Sequence, residues 1–75
     1  MEYYLNRAGN SGVSGYELGA DSIRVQFRDN SIYLYNYQIT GMANVEKMKR
    51  LAVSGQGLNS FINSYVKKSY AAKLR

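Results

Sequence analysis

Four residue types are missing from this chain. Its 75 residues include no cysteine, histidine, proline or tryptophan. Without cysteine there is no disulfide and no thiolate site. Without histidine the commonest metal ligand and the commonest general base are both absent. Acidic residues are few, five against ten lysines and arginines, for a net charge of +5. No stretch approaches the ~20 apolar residues of a membrane span. The segment Met1-Glu2-Tyr3-Tyr4-Leu5 has no basic region followed by an apolar one, so no signal peptide is read there and a cytoplasmic location is expected. Size is a further constraint. A chain this short buries only about 60% of the surface its unfolded form exposes. Its core rarely yields more than ~3–5 kcal/mol without a disulfide, a metal or a partner.

What is present belongs to the globular class: 45% hydrophobic, 13% aromatic and 20% charged, with eight tyrosines. The charge is uneven. From Lys47 onward there are seven basic residues (Lys47, Lys49, Arg50, Lys67, Lys68, Lys73, Arg75) and no acidic one. A one-sign field attracts polyanions, nucleic acid first and an anionic surface second. The same excess also serves solubility on a small domain.

Glycine and serine punctuate the first part of the chain at Gly9, Ser11, Gly12, Ser14, Gly15 and Gly19. This reads as loop with short extended pieces, near Tyr3–Leu5 and over Val13–Glu17, and a turn at Gly19-Ala20-Asp21. The two G-x-x-G matches, Gly9–Gly12 and Gly12–Gly15, follow no helix and read as loop rather than as a backbone clamp. No Gly-Lys-Ser/Thr follows to make a phosphate loop. Ser22–Arg28 alternates, with Ile23, Val25 and Phe27 on one face and Arg24, Gln26 and Arg28 on the other. Asp29-Asn30 is turn chemistry. Ser31–Tyr37 returns as a strand rich in aromatic and branched side chains. Two amphipathic helices are predicted next. Val45, Met48, Leu51 and Ala52 line the first, with Thr40 as N-cap and Gly55 as stop. Leu58, Phe61, Ile62, Tyr65 and Val66 line the second. Residues 69–75 either extend it or trail off as a basic tail, and residues 1–12 are expected to be loose.

The most unusual feature is Tyr33-Leu34-Tyr35-Asn36-Tyr37. Alternate tyrosines on a strand share a face, and the loop decides which one. A two-residue loop at Asp29-Asn30 pairs Val25 with Leu34 and sets the tyrosines beside Arg24 and Arg28, as a platform for stacking bases. A three-residue loop, Arg28-Asp29-Asn30 with Asn30 left-handed, pairs Val25 with Tyr33. The tyrosines then pack under the helices, and Ile32 and Leu34 face outward as an apolar patch.

The order of these residues resembles the KTSC domain family, small domains found at the C-terminus of some lysyl-tRNA synthetases and as stand-alone bacterial or phage proteins. The matching pieces are Gly15-Tyr16, Ile23-x-Val25-x-Phe27, Asn30, Tyr33-x-Tyr35, Ala52-Val53-Ser54-Gly55, Leu58-Asn59, Ile62 and Tyr65. They span about Val13 to Tyr65. Asn30 stands where the family has glycine, and the valine-proline before its helix is absent here. The resemblance implies a single α+β domain over 1–75, a small antiparallel sheet of N-terminal strands and a central hairpin packed against two C-terminal helices. It favours the three-residue loop. For the family no activity is established, and RNA binding has been suggested from context.

The five carboxylates (Glu2, Glu17, Asp21, Asp29, Glu46) form no evident acid–base pair, and no serine has a histidine to activate it. The chain is therefore read as no enzyme, needing neither cofactor nor metal. The expected function is a small non-catalytic binding domain for RNA or single-stranded nucleic acid. Arg24, Arg28, Lys67 and Lys68 would meet phosphate, and Tyr33, Tyr35 and Tyr37 would stack. The alternative is a protein-interaction or self-associating module, including a phage protein that acts on a host factor.

Overall fold

The computed structural model describes every residue except Ala8 and Asn10; the loop reading at Asn10 lies outside the described residues. The fold is organised by a hairpin of β3 (Ser22–Phe27) and β4 (Ile32–Asn36). Its loop is the three-residue one. Asn30 sits at φ 72°, in the left-handed region that its short polar side chain tolerates. The Asn30 N–H donates to the Phe27 carbonyl and the Phe27 N–H donates to the Ser31 carbonyl, both at 2.9 Å. The Asp29 Oδ1 accepts from the Ser31 N–H at 3.0 Å and from its hydroxyl at 2.6 Å. The resulting register sets Val25 opposite Tyr33 and Ile23 opposite Tyr35.

The sheet grows from this hairpin in both directions. β2 (Val13–Leu18) pairs with β3 through a bulge at Ser14, since Val13 opposes Phe27 and Gly15 opposes Gln26. β1 (Glu2–Tyr3) adds to the free edge of β2. At the other side, β5 (Ala72–Lys73) pairs with β4. The segment left between helix and tail by the sequence thus contributes an edge strand. The order is β1-β2-β3-β4-β5 and every pairing is antiparallel.

The helical layer lies between β4 and β5 in the chain. α1 (Tyr37–Thr40) is a single turn, capped by the Asn36 Oδ1, which accepts from the Ile39 N–H at 2.9 Å. Gly41, at φ 99°, turns the chain into α2 (Met42–Ser54) and is its N-cap. The expected cap, Thr40, is instead the last residue of α1. It is buried, and its hydroxyl donates to the Ser69 carbonyl, which holds the segment leading to β5. Gly55 ends α2 as expected, at φ 81°. A Cβ there would sit 2.7 Å from Leu5 Cβ, so glycine is required for space as well as for conformation.

α3 (Leu58–Phe61) passes directly into a π-helical turn over Ile62–Val66. Leu58, Ile62 and Val66 are buried at a spacing of four, as the predicted stripe requires. Tyr65, expected on the same stripe, is 71% exposed. It falls one position off that line and packs its ring on Phe61, with centroids 5.0 Å apart.

All the helices cover one face of the sheet. Val13, Tyr16, Ile23, Val25 and Tyr35 meet Val45, Met48, Ala52, Leu58, Ile62 and Val66 there. Full burial of such a side chain stabilises by ~1.5–3 kcal/mol. The N-terminal segment then fastens the helix ends. The Tyr4 hydroxyl accepts from the Leu58 N–H at 3.2 Å, satisfying one of the orphan donors that begin α3. Arg7 donates from Nε to the Ser54 carbonyl at 2.8 Å and from its N–H to the Gly55 carbonyl at 2.7 Å, which places a cation at the negative end of α2. The architecture is α+β, with a five-stranded antiparallel sheet carrying helices on one face. Among the described residues no helix is long and apolar enough to cross a membrane.

Candidate functional site

A cleft of about 380 Å³ opens where the β3–β4 loop, the π-helical turn and the segment before β5 meet. Three elements distant in sequence build it. Phe27 and Tyr33 come from the inward face of the hairpin, Asn63 and Lys67 from the π turn and its end, and Tyr70 from the approach to β5. Ile62 and the buried Tyr35 complete its apolar wall, and Asp29 and Ser31 stand at the loop side.

The rings make an edge-to-face chain. Phe27 and Tyr33 have centroids 5.6 Å apart at 83°, Tyr33 and Tyr70 4.8 Å apart at 69°, and Tyr35 and Tyr70 6.5 Å apart at 88°. Such arrangements set the positive edge of one ring against the negative face of the next. Lys73, opposite Tyr33 in the sheet, holds its Nζ 5.7 Å from the Tyr33 centroid. This is a cation–π contact, which steadies the ammonium without neutralising it. Lys67 supplies a second cation at the wall.

Two groups here have shifted acidities. Burial pushes the Tyr35 phenol up to about 12, with smaller contributions from Tyr33 and Tyr70. The Asp29 carboxyl is held below its ordinary value, chiefly by the hydrogen bond from the Ser31 hydroxyl and then by the Ser31 N–H, with a smaller contribution from Lys73. Asp29 is therefore an ionised acceptor at neutral pH.

The sequence-derived residues divide sharply. Tyr33, Tyr35 and Lys67 line the cleft, whereas Lys68 is exposed and is not part of its lining. Tyr35, however, is 1% exposed and belongs to the core, so it offers no open ring to a base. Arg24 lies on the opposite face of the sheet, in an exposed pair with Glu17 at 3.4 Å, of a kind that contributes little to stability. Arg28 donates from Nε to the Ser11 carbonyl at 2.7 Å and fastens the hairpin loop to the start of β2. The platform of tyrosines with Arg24 and Arg28 does not form, because the three-residue loop turns tyrosines and arginines to opposite faces.

Tyr37 belongs to another cluster. It begins α1 and donates its hydroxyl to Glu46 Oε2 at 2.5 Å. Lys49 pairs with the same Glu46 at 3.0 Å, lies 5.6 Å from the Tyr37 centroid, and donates to the Gly19 and Ala20 carbonyls. The Tyr37 hydrogen bond, followed by that of Lys49, holds Glu46 below its ordinary value, and the bond to Glu46 raises Tyr37. This cluster ties the β2–β3 turn to α2 and has the character of a structural lock.

Sequence reasoning missed Phe27, Asn63, Tyr70 and Lys73 as members of the site. Phe27 reads as core from its alternation. Tyr70 and Lys73 reach the cleft only because β5 returns to the sheet, and a two-residue strand leaves no periodicity to read. Among the described residues no cluster of His, Cys, Asp or Glu could hold a metal ion. No family model matches the chain, and no curated protein or solved structure matches it.

Proposed function

We propose that this protein is a non-catalytic binding module for single-stranded nucleic acid, RNA by preference, and that the cleft between the hairpin loop and the β5 segment is its contact surface. The observation that carries the reading is the placement of two lysines, Lys67 and Lys73, around the rings of Phe27, Tyr33 and Tyr70. Single strands expose both phosphates and base faces, and a groove combining cations with aromatic rings takes both at once. Lys68 and Arg75, both exposed, extend the positive field beyond the cleft. Asn63, Ser31 and the ionised Asp29 supply the donors and acceptors that meet base edges. Membership of the KTSC family is part of this proposal. The left-handed Asn30, at the position where that family has glycine, supports it.

The test is fluorescence anisotropy with short single-stranded RNA oligomers over a range of salt. Affinity is expected to fall steeply as salt rises, because phosphate contacts release counterions. Lys67→Ala should reduce the slope of that fall by about 1. Tyr70→Leu, which keeps an apolar side chain at a partly exposed position, should weaken binding roughly tenfold or more, since stacking contributes ~1–3 kcal/mol per base. Affinity indifferent to salt, or unchanged in both variants, rules the cleft out as the contact surface.

A further inference from the structure

The helix-free face of the sheet has a chemistry of its own. Two long rows of residues cross it, beside a short third of Ser22 and Asn36. One runs Tyr3, Gly15, Gln26 and Ile32 through β1 to β4. Leu74 continues this row, its N–H bonded to the Ile32 carbonyl at 2.7 Å. The other runs Glu17, Arg24, Leu34 and Ala72 through β2 to β5. On β4 and β5 the two rows make a block of four apolar side chains: Ile32, Leu34, Ala72 and the 48% exposed Leu74. Polar residues hold the middle of the face, and Tyr3, 82% exposed, holds its far edge. An apolar block beside a polar field, with no helix over it, marks an interaction surface.

We infer that a second copy of this chain covers this face. The argument is the match of the two rows to one another under a two-fold operation. Consider an axis in the interface plane, perpendicular to the strands and running between the rows. It lays each row over the other row of the second copy. Ile32 then covers Leu34 and Leu74 covers Ala72, so apolar meets apolar and large meets small. Arg24 covers Gln26, and Glu17 covers Gly15 with the Met1 side chain that shields it, so neither charge meets its like. The competing axis, along β3, lays Arg24 on its own copy and Glu17 on Leu34. Like charges then face each other, a repulsion that disfavours this axis. The pattern selects the first axis and an aligned face-to-face pair of sheets, an arrangement that sheet twist accommodates at about 30°.

The face also sets the strength of the pair. A five-stranded sheet is roughly 24 Å wide at ~4.8 Å per strand. With the outer strands short, two copies bury on the order of 1,000 Å², the lower end for a specific interface. The dimer is therefore weak and concentration-dependent. It leaves the aromatic cleft open, because that cleft lies on the helix side, and so does not depend on the nucleic-acid reading.

Sedimentation velocity of the full chain, from low micromolar to about 1 mM, reads the equilibrium directly. The expected result is a monomer at the low end and a dimer at the high end. Leu74→Lys, at an exposed position, should raise the dissociation constant tenfold or more with an unchanged circular dichroism spectrum. Leu34→Lys should do the same. The row exchange has its own test, made simple by the absence of native cysteine. A mixture of the single variants Ile32→Cys and Leu34→Cys should cross-link through a short bismaleimide more than either variant alone. A monomer at every concentration, a dimer indifferent to Leu74→Lys, or cross-linking no stronger in the mixture than in the separate variants would overturn the inference.

Discussion

Leu34 and Tyr35 are neighbours on one strand, and they have opposite fates. Tyr35 is 1% exposed, walled in by helices, with its phenol pushed up to about 12. Leu34 is half-buried on the face that no helix covers. The more polar residue is inside and the more apolar one is outside. Side-chain hydrophobicity did not make this choice. Loop length did, because a one-residue change of register exchanges the two faces of a strand opposite its partner. Asn30 in the left-handed region fixes the length, and the whole helix-facing surface follows from it.

The largest expected effect tests the inner member of the pair. Tyr35→Ala empties a large buried volume and should cost about 3–5 kcal/mol. That is comparable to the whole stability of a domain this size. Circular dichroism should show a chain mostly unfolded at room temperature, and a cooperative fold with an unchanged melting temperature would refute the account of Tyr35 as core. Next comes the residue that sets the register. Asn30→Val puts a branched side chain in the left-handed region and should cost about 1–2 kcal/mol, read from the urea midpoint. Asn30→Gly should hold or raise that midpoint. Smaller still is the outer member: Leu34→Thr should change monomer stability by at most about 1 kcal/mol, the span of strand propensity at an uncovered position. Should Leu34→Thr prove as damaging as Tyr35→Ala, the contrast between the faces fails.

pH sharpens the contrast further. Tyr35 is harder to ionise folded than unfolded, so its contribution is whole below pH 10 and is lost as pH rises from 10.0 toward about 12. Stability measured across that alkaline range should fall, with the ultraviolet signal of a late-ionising phenol. Glu46 runs the other way. Its carboxyl is depressed below 4.5, first by Tyr37 and then by Lys49, so its contribution is whole above that value and is lost as pH falls through the lowered one. Urea midpoints in acid should show this loss, and Glu46→Gln should flatten it.

Much of the fold is legible in residue order. The alternation Ile23, Val25, Phe27 gives β3, and Gly55 gives the end of α2. The spacing of Leu58, Ile62 and Val66 gives the buried line of the last helix. The direction of the tyrosines was not legible from the residues alone, because Asp29-Asn30 suits both loops and each face of β4 is partly apolar. Thr40 is a good cap by type, yet its hydroxyl finds a carbonyl 29 positions away, and no local rule foresees that. The cleft was half legible for the same reason. Tyr33 and Lys67 announce themselves, whereas Tyr70 and Lys73 owe their places to a strand too short to carry a pattern.

The N-terminal segment carries a consequence for how the chain reaches this state. The bond between the Tyr4 phenol and the Leu58 amide joins residues 54 positions apart, and Arg7 meets Ser54 across 47. Each junction requires the closure of a long loop before it returns any energy, and topologies of this kind fold slowly for their length. The ends of α2 and α3 are therefore expected to find their partners only near the summit of the folding barrier. Sheet and helices should then melt together in one transition, with no partly folded species lingering between.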